Sequence, residues 1–160
     1  MQQDNRIPQD NVPIIRAGKV LSVNTSTGKG QKKHPSGRCL LREDFGIEGD
    51  GHAGTDFRQV SLLAQESIEK IKAKGIDVGP GDFAENITTQ GIVLHELSIG
   101  TRLRAGRSVL LEITRIGKVC HDRCAIFHAV GDCVMPREGV FARVVAGGEL
   151  REGDVIEVVP

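Results

Sequence analysis

Three of the chain's four cysteines fall within GKVCHDRCAIFHAVGDC, residues 117–133, beside two of its five histidines. Thiols and imidazoles this dense can bind a metal, form cross-links or supply one reactive sulfur. Four cysteines in 160 residues are too sparse for a disulfide scaffold, so in a reducing compartment they are free thiols, ligands or catalysts. Cys120, Cys124, His128 and Cys133 offer a Cys3His zinc set. On a helix the first three stand at i, i+4 and i+8, which suits two ligands better than three, and zinc sites usually pair ligands from separate loops. A second reading makes Cys120 a nucleophile, because it follows the strand-like LEITRIGKV, and Lys118, His121 and Arg123 would favour its thiolate. A third makes Cys124 and Cys133 small apolar core residues beside Ala125, Ile126 and Phe127. The favoured expectation is mixed, with Cys120 reactive, Cys124 an assistant or rival, Cys133 structural, and no bound metal.

Three further stretches carry chemical groups. GIEGDGHAGTDFRQVSLL, residues 46–63, sets glycines around Asp50 and His52 and places Arg58 at the mouth of a strand, a pattern suited to an anionic group or to a tight turn. In GDFAENITTQGI, residues 81–92, Glu85 and Asn86 stand between apolar residues and read either as an internal hydrogen-bond bracket or as ligand contacts. NTSTGKGQKKHPSG, residues 24–37, lacks apolar residues and the Walker spacing, and reads as an exposed, mobile basic loop.

These groups need a scaffold. GKVLSVNTS, RCLLRE, RQVSLLA, TRLRAG, SVLLEITRIG, GVFARVVAGG and DVIEVVP are short strand-like runs between glycines, which predicts a mainly β barrel or sandwich. AQESIEKIKAKG predicts one clear helix, about 64–74, with Ala64, Ile68 and Ile71 on one face, its charges on a solvated face and Gly75 as its stop. Residues 1–16 are polar with no period and are expected to form a flexible arm, leaving 17–160 as a single domain.

Lys plus Arg and Asp plus Glu each total 21, and five Phe are the only large aromatics, so neither nucleic acid nor an anionic membrane surface is an expected partner. No apolar run approaches a membrane span and the first residues lack a signal-peptide order, so the expected location is cytoplasmic. A monomer is the default.

Taken in order, GDGHAG with RQVSLL, ENIT, LSIGTRLRAG, RIGKVCHDRC and GVFARVVAGGELREGDVIEV resemble the MOSC domain, named for the C-terminal domain of molybdenum cofactor sulfurase. The resemblance runs from about Gly18 to Val159. It implies a MOSC-type β-barrel and a sulfur-handling role: a cysteine carries sulfane sulfur as a persulfide toward molybdenum cofactor or metal-sulfur cluster assembly. Cys120 stands where the family's cysteine follows a strand and a G-K-x-C-like turn, and alignment through HDRC would move the thiol to Cys124. Implied partners are a cysteine desulfurase-type sulfur donor and a molybdenum cofactor or metal-sulfur acceptor protein. No tightly bound cofactor is expected beyond transient molybdenum cofactor. Lys118, His121 and Arg123 would stabilise the sulfur anion, while Asp50, His52, Arg58 and Asn86 would line the opposite wall and orient an anionic pterin or partner. A molybdenum-pterin-binding module, as in the related amidoxime-reducing proteins, and a zinc-stabilised interaction domain are the alternatives.

Overall fold

The structure, a computed structural model, describes residues 16–28, 31–55, 57–117 and 125–160. Along them run β1 (Ala17–Thr25), β2 (His34–Pro35), β3 (Arg38–Arg42), β4 (Gly46–Ile47), β5 (Val60–Ala64), α1 (Gln65–Lys72), β6 (Ile87–Gln90), β7 (Arg102–Ala105), β8 (Val109–Ile116), α2 (Ala125–Val130), α3 (Met135–Glu138), β9 (Val140–Ala146), β10 (Gly148–Arg151) and β11 (Val155–Val158). The fold is mainly β, as the glycine-punctuated strands predict.

Seven strands close into a barrel in the order β11-β7-β8-β9-β5-β6-β1, with β1 pairing back to β11. Only β5 and β6 of this ring are parallel. A parallel pair cannot be joined by a tight hairpin, and α1 lies in the connection that crosses between them. Strand β2 adds to the edge of β1, and β10, β3 and β4 form a separate small sheet.

Alternation fills the barrel. In β7, Leu103 and Ala105 are buried while Arg102 and Arg104 face out. Three register shifts interrupt the barrel ladders, one of them between Leu110 and Leu111, and the other two decide which residues are exposed. Between Val20 and Ser22 the register of β1 with β6 shifts, so Val20 and Val23 both enter the core while Leu21 is left partly exposed. Between Ile113 and Arg115 the register of β8 with β9 shifts again, so Ile113 opposes the buried Ala142 while Arg115 opposes Phe141. Strict alternation from Leu111 and Ile113 would have sent Arg115 inward; the extra residue, Thr114, turns it to the outer face with Phe141.

A second apolar cluster lies outside the barrel wall, where Leu63 and Phe141 meet Ile68, Ile71, Phe83, Ile126, Cys133, Val134 and Met135 from the helices and their connections. Strand β5 is therefore buried along its whole length, which accounts for its unbroken run VSLLA.

Helix α1 buries Ile68 and Ile71, carries Glu66 in its first turn and ends before Gly75 at φ +97°, matching its sequence-based prediction. Its charges correct one expectation. Lys70 Nζ and Ser67 Oγ donate to the buried Glu138 of α3 at 2.8 and 2.6 Å, so this face ties two helices together instead of only meeting solvent. The loop reading of residues 24–37 also needs correction: β1 extends through Thr25, and Asn24 and Lys33 are fully buried. Lys33 can be inside because a carboxylate, Asp50, is waiting there.

Candidate functional site

Strand β8 delivers the chain toward the cysteine-rich stretch, and its exit is tightly specified. Gly117 sits at φ +83°, donates its amide to Gly139 O at 2.7 Å, and would place a Cβ 2.5 Å from Pro136 O. Glycine alone fits, so this end of β8 is locked against the segment that enters β9. Cys120, Cys124, Lys118, His121 and Arg123, the predicted thiols and their cationic neighbours, lie outside the described residues.

The other two cysteines have clear settings. Cys133 is buried in the outer apolar cluster. Cys39, half-buried on β3, has its thiol pushed up to about 12, first by burial and then by the negative charges of Asp50 and Glu149. A thiol held that high is protonated and unreactive at neutral pH. Among the described residues no three His, Cys, Asp or Glu side chains are placed to hold a metal. Of the proposed zinc set, His128 is exposed on α2 whereas Cys133 is buried.

The GDGHAG loop is built around a buried ion pair. Asp50 Oδ1 accepts from Lys33 Nζ at 2.8 Å and from the Ser26 amide at 3.1 Å; Oδ2 accepts from the His52 amide at 3.0 Å. Both charged side chains have no exposed surface. Burial alone would raise the Asp50 carboxyl, but the bonds from Lys33, Ser26 and His52 and the Lys33 charge together hold it below the ordinary carboxylate range. His52 is mostly covered, its Nδ1 3.8 Å from Asp50 Oδ2.

The ENIT stretch is an internal bracket. Asn86 Oδ1 accepts from the Ser61 amide at 3.0 Å and its Nδ2 donates to Asn24 O at 3.2 Å, stitching β5 and β1 across the start of β6. Glu85 accepts from the Gly81 and Phe83 amides and from Thr88 Oγ1, yet its burial pushes its carboxyl upward. Gly81 O in turn accepts the Lys33 amide, which joins this bracket to the Asp50 pair. Asp50, His52 and Asn86 thus belong to one polar seam, and the Asp50 and Asn86 side chains are engaged within the fold.

Arg58 has a different setting from the Asp50 and Asn86 side chains. Its guanidinium lies over the Phe141 ring, 5.4 Å from the centroid, on the outer face of the barrel. Thr114 Oγ1, at the β8 bulge, shares its one hydroxyl proton between Phe57 O at 2.5 Å and Phe141 O at 3.1 Å and so pins the segment bearing Arg58 against β8 and β9. The structure therefore associates Arg58 with β8, whereas Asn86 bonds Ser61, the β5 residue registered opposite Phe141. Sequence reasoning overlooked Lys33 and Arg115. For Lys33 the available signal was a lysine seventeen residues before a glycine-flanked aspartate; for Arg115 none existed without the bulge.

Comparison with known proteins follows this geometry. The family model described as "MOSC domain" matches residues 49–157. The structure resembles the YUAD protein from Bacillus subtilis (TM-score 0.70, 20% identity, 89% of this chain and 95% of that one). It also resembles YiiM from Geobacillus stearothermophilus (TM-score 0.67, 18% identity, 89% and 75%) and YiiM from Escherichia coli (TM-score 0.63, 19% identity, 89% and 70%). At these identities the likeness is one of fold. In sequence, 126 residues are 31% identical to the probable inorganic carbon transporter subunit DabA 1 of Sorangium cellulosum; the match covers 73% of this chain and 12% of that protein. With the family model spanning most of the barrel and the closed architecture in agreement, the chain belongs to the MOSC domain family.

Proposed function

We propose that this MOSC-domain protein is a sulfur carrier that takes up sulfane sulfur on Cys120 as a persulfide and passes it toward molybdenum cofactor or metal-sulfur cluster assembly. The observation that carries the reading is elimination among the four thiols. Cys39 is held protonated with its pKa near 12 and Cys133 is packed in the outer cluster, which leaves the pair just beyond the locked exit of β8, Cys120 and Cys124. Lys118, His121 and Arg123, next to them in sequence, would supply the positive charge that a thiolate needs.

The transfer is a thiol–disulfide type exchange. The Cys120 thiolate attacks the outer sulfur of a donor persulfide, the donor S–S bond breaks, a new S–S bond forms on Cys120, and the donor leaves as thiolate. No external oxidant or reductant is required. The donor in this reading is a cysteine desulfurase-type protein.

Intact mass measurement after incubation with a cysteine desulfurase and cysteine tests it. The expected result is a gain of one sulfur, reversed by reductant, lost in Cys120→Ser and retained in Cys39→Ser. A gain that survives Cys120→Ser and disappears in Cys124→Ser moves the carrier to Cys124. No gain in any form overturns the reading.

A further inference from the structure

Eight described arginines lie where charge matters little to the core: Arg16, Arg38, Arg42, Arg102, Arg104, Arg107, Arg137 and Arg151 are all exposed. Three others are half-buried: Arg58, Arg115 and Arg143. Arg143 has a counter-ion, its Nε 3.1 Å from Glu112 Oε2. Neither Arg58 nor Arg115 has an ion-pair partner among the described residues. A guanidinium drawn partly out of water costs free energy unless an anion compensates it, so two of them at one place require an explanation.

They are at one place. Arg58 lies over the Phe141 ring, and Arg115 is the β8 residue registered opposite Phe141 in β9. Directly opposed residues of an antiparallel pair project from the same face, so the two arginines flank one buried phenyl ring. Both are held by the same device: the bulge at Thr114 turns Arg115 outward, and the Thr114 hydroxyl bonds Phe57 O and fixes the backbone beside Arg58. Glu112, the carboxylate of β8, already accepts from Arg102 and Arg143. A ring that supports a guanidinium from below leaves its N–H edge directed to the side, the geometry that forks onto oxyanions.

We propose that Arg58 and Arg115, seated about Phe141, form a binding site for a tetrahedral dianionic oxyanion. Two sources share that chemistry. One is a small sulfur oxyanion carrying sulfane sulfur, such as thiosulfate; the other is the phosphate group of a phosphorylated ligand. The first use rests on the carrier reading above: a cysteine thiolate attacks the outer sulfur of thiosulfate, the S–S bond of thiosulfate breaks, the persulfide S–S bond forms, and sulfite departs with the electron pair. The anion site itself stands without that reading.

The test is calorimetric titration of the full chain with thiosulfate and, separately, with inorganic phosphate, at low and at high chloride. The variants are Arg58→Met, Arg115→Met, the conservative Arg58→Lys, and Arg104→Met as an exposed control on β7. A thermal melt of each establishes that it folds. Saturable binding that weakens at least tenfold in Arg58→Met and in Arg115→Met, recovers in part in Arg58→Lys, is unchanged in Arg104→Met and falls with salt supports the site. Sulfite release with a gain of one sulfur assigns the sulfur-oxyanion source; phosphate binding without sulfite release in the thiosulfate arm assigns the phosphorylated one. Absence of binding by wild type, or equal binding by wild type and both methionine variants, overturns the site. In that event sulfur uptake from a desulfurase leaves the carrier reading standing, whereas anion binding with no sulfur uptake from any donor keeps the site and removes the carrier.

Discussion

The molecule handles two sets of buried or half-buried cations in opposite ways. Lys33 is wholly enclosed and its charge is met by Asp50 at 2.8 Å, within a seam that continues through Gly81 and Glu85 to Asn86. Arg58 and Arg115 are only half enclosed, the first over the Phe141 ring and the second registered opposite Phe141, and neither has an ion-pair partner among the described residues. A cation whose partner is built in serves the fold; one left unmatched at the surface is available to something outside it. The same types of residue, all drawn from loops and strand ends, thus separate by whether the chain supplies the counter-charge.

That separation can be broken by experiment, and the closed pair should give the largest effect. Lys33→Met leaves the Asp50 carboxylate buried without its cation and should destabilise the protein by about 3–5 kcal/mol, read by urea unfolding. A loss below ~1 kcal/mol would mean that Asp50 finds another partner. Gly117→Ala should come next, costing about 1–3 kcal/mol because a side chain is forced into a left-handed backbone and against Pro136 O. If the exit of β8 positions the working thiol, this variant should also load sulfur more slowly under conditions where it remains folded.

Acid sharpens the contrast further. A carboxyl held lower in the folded chain than in the unfolded chain stabilises the fold above the unfolded value of ~3.9, and that contribution disappears as pH falls through the lower folded value. Unfolding free energy should therefore drop less steeply below pH ~4 in Asp50→Asn than in wild type. Glu85 works in the other sense. Its carboxyl is raised, so its contribution is complete below the unfolded value of ~4.3 and is lost as pH rises through the folded one. Glu85→Gln should remove that decline, and an unchanged slope would show that Glu85 titrates as it does in water. The smallest effect on stability should come from Arg115→Met, within ~0.5 kcal/mol by urea unfolding, since no ion-pair partner among the described residues is orphaned.

The sequence made the barrel legible because six of the seven strand-like runs between glycines correspond to its strands β1, β5, β7, β8, β9 and β11, the other being β3 of the small sheet, while barrel strand β6 was not among them. It hid β10 and the helices α2 and α3, which at four to six residues are too short for a period to register. Lys33 was misread because lysines in a glycine-rich run look solvated, and nothing local announces a carboxylate that arrives seventeen residues later. Arg115 was invisible for a different reason: the side-chain period of β8 is right until the bulge and wrong after it. Arg58 and the GDGHAG and ENIT residues were all noticed, but a reading by residue type placed them on one wall, whereas the fold assigns Asp50 and Asn86 to its interior and Arg58 to its outer face.

The pairing of β1 with β11 sets the tempo of assembly. Ala17 lies opposite Glu157 and Lys19 opposite Val155, so the barrel's last seam joins strands from nearly opposite ends of the described chain. Until β11 emerges, β1 and β7 each lack one of their barrel neighbours. Contacts this distant in sequence demand that loop-closure entropy be overcome before they stabilise anything, which places refolding in the slow, millisecond-to-second class of non-local β topologies.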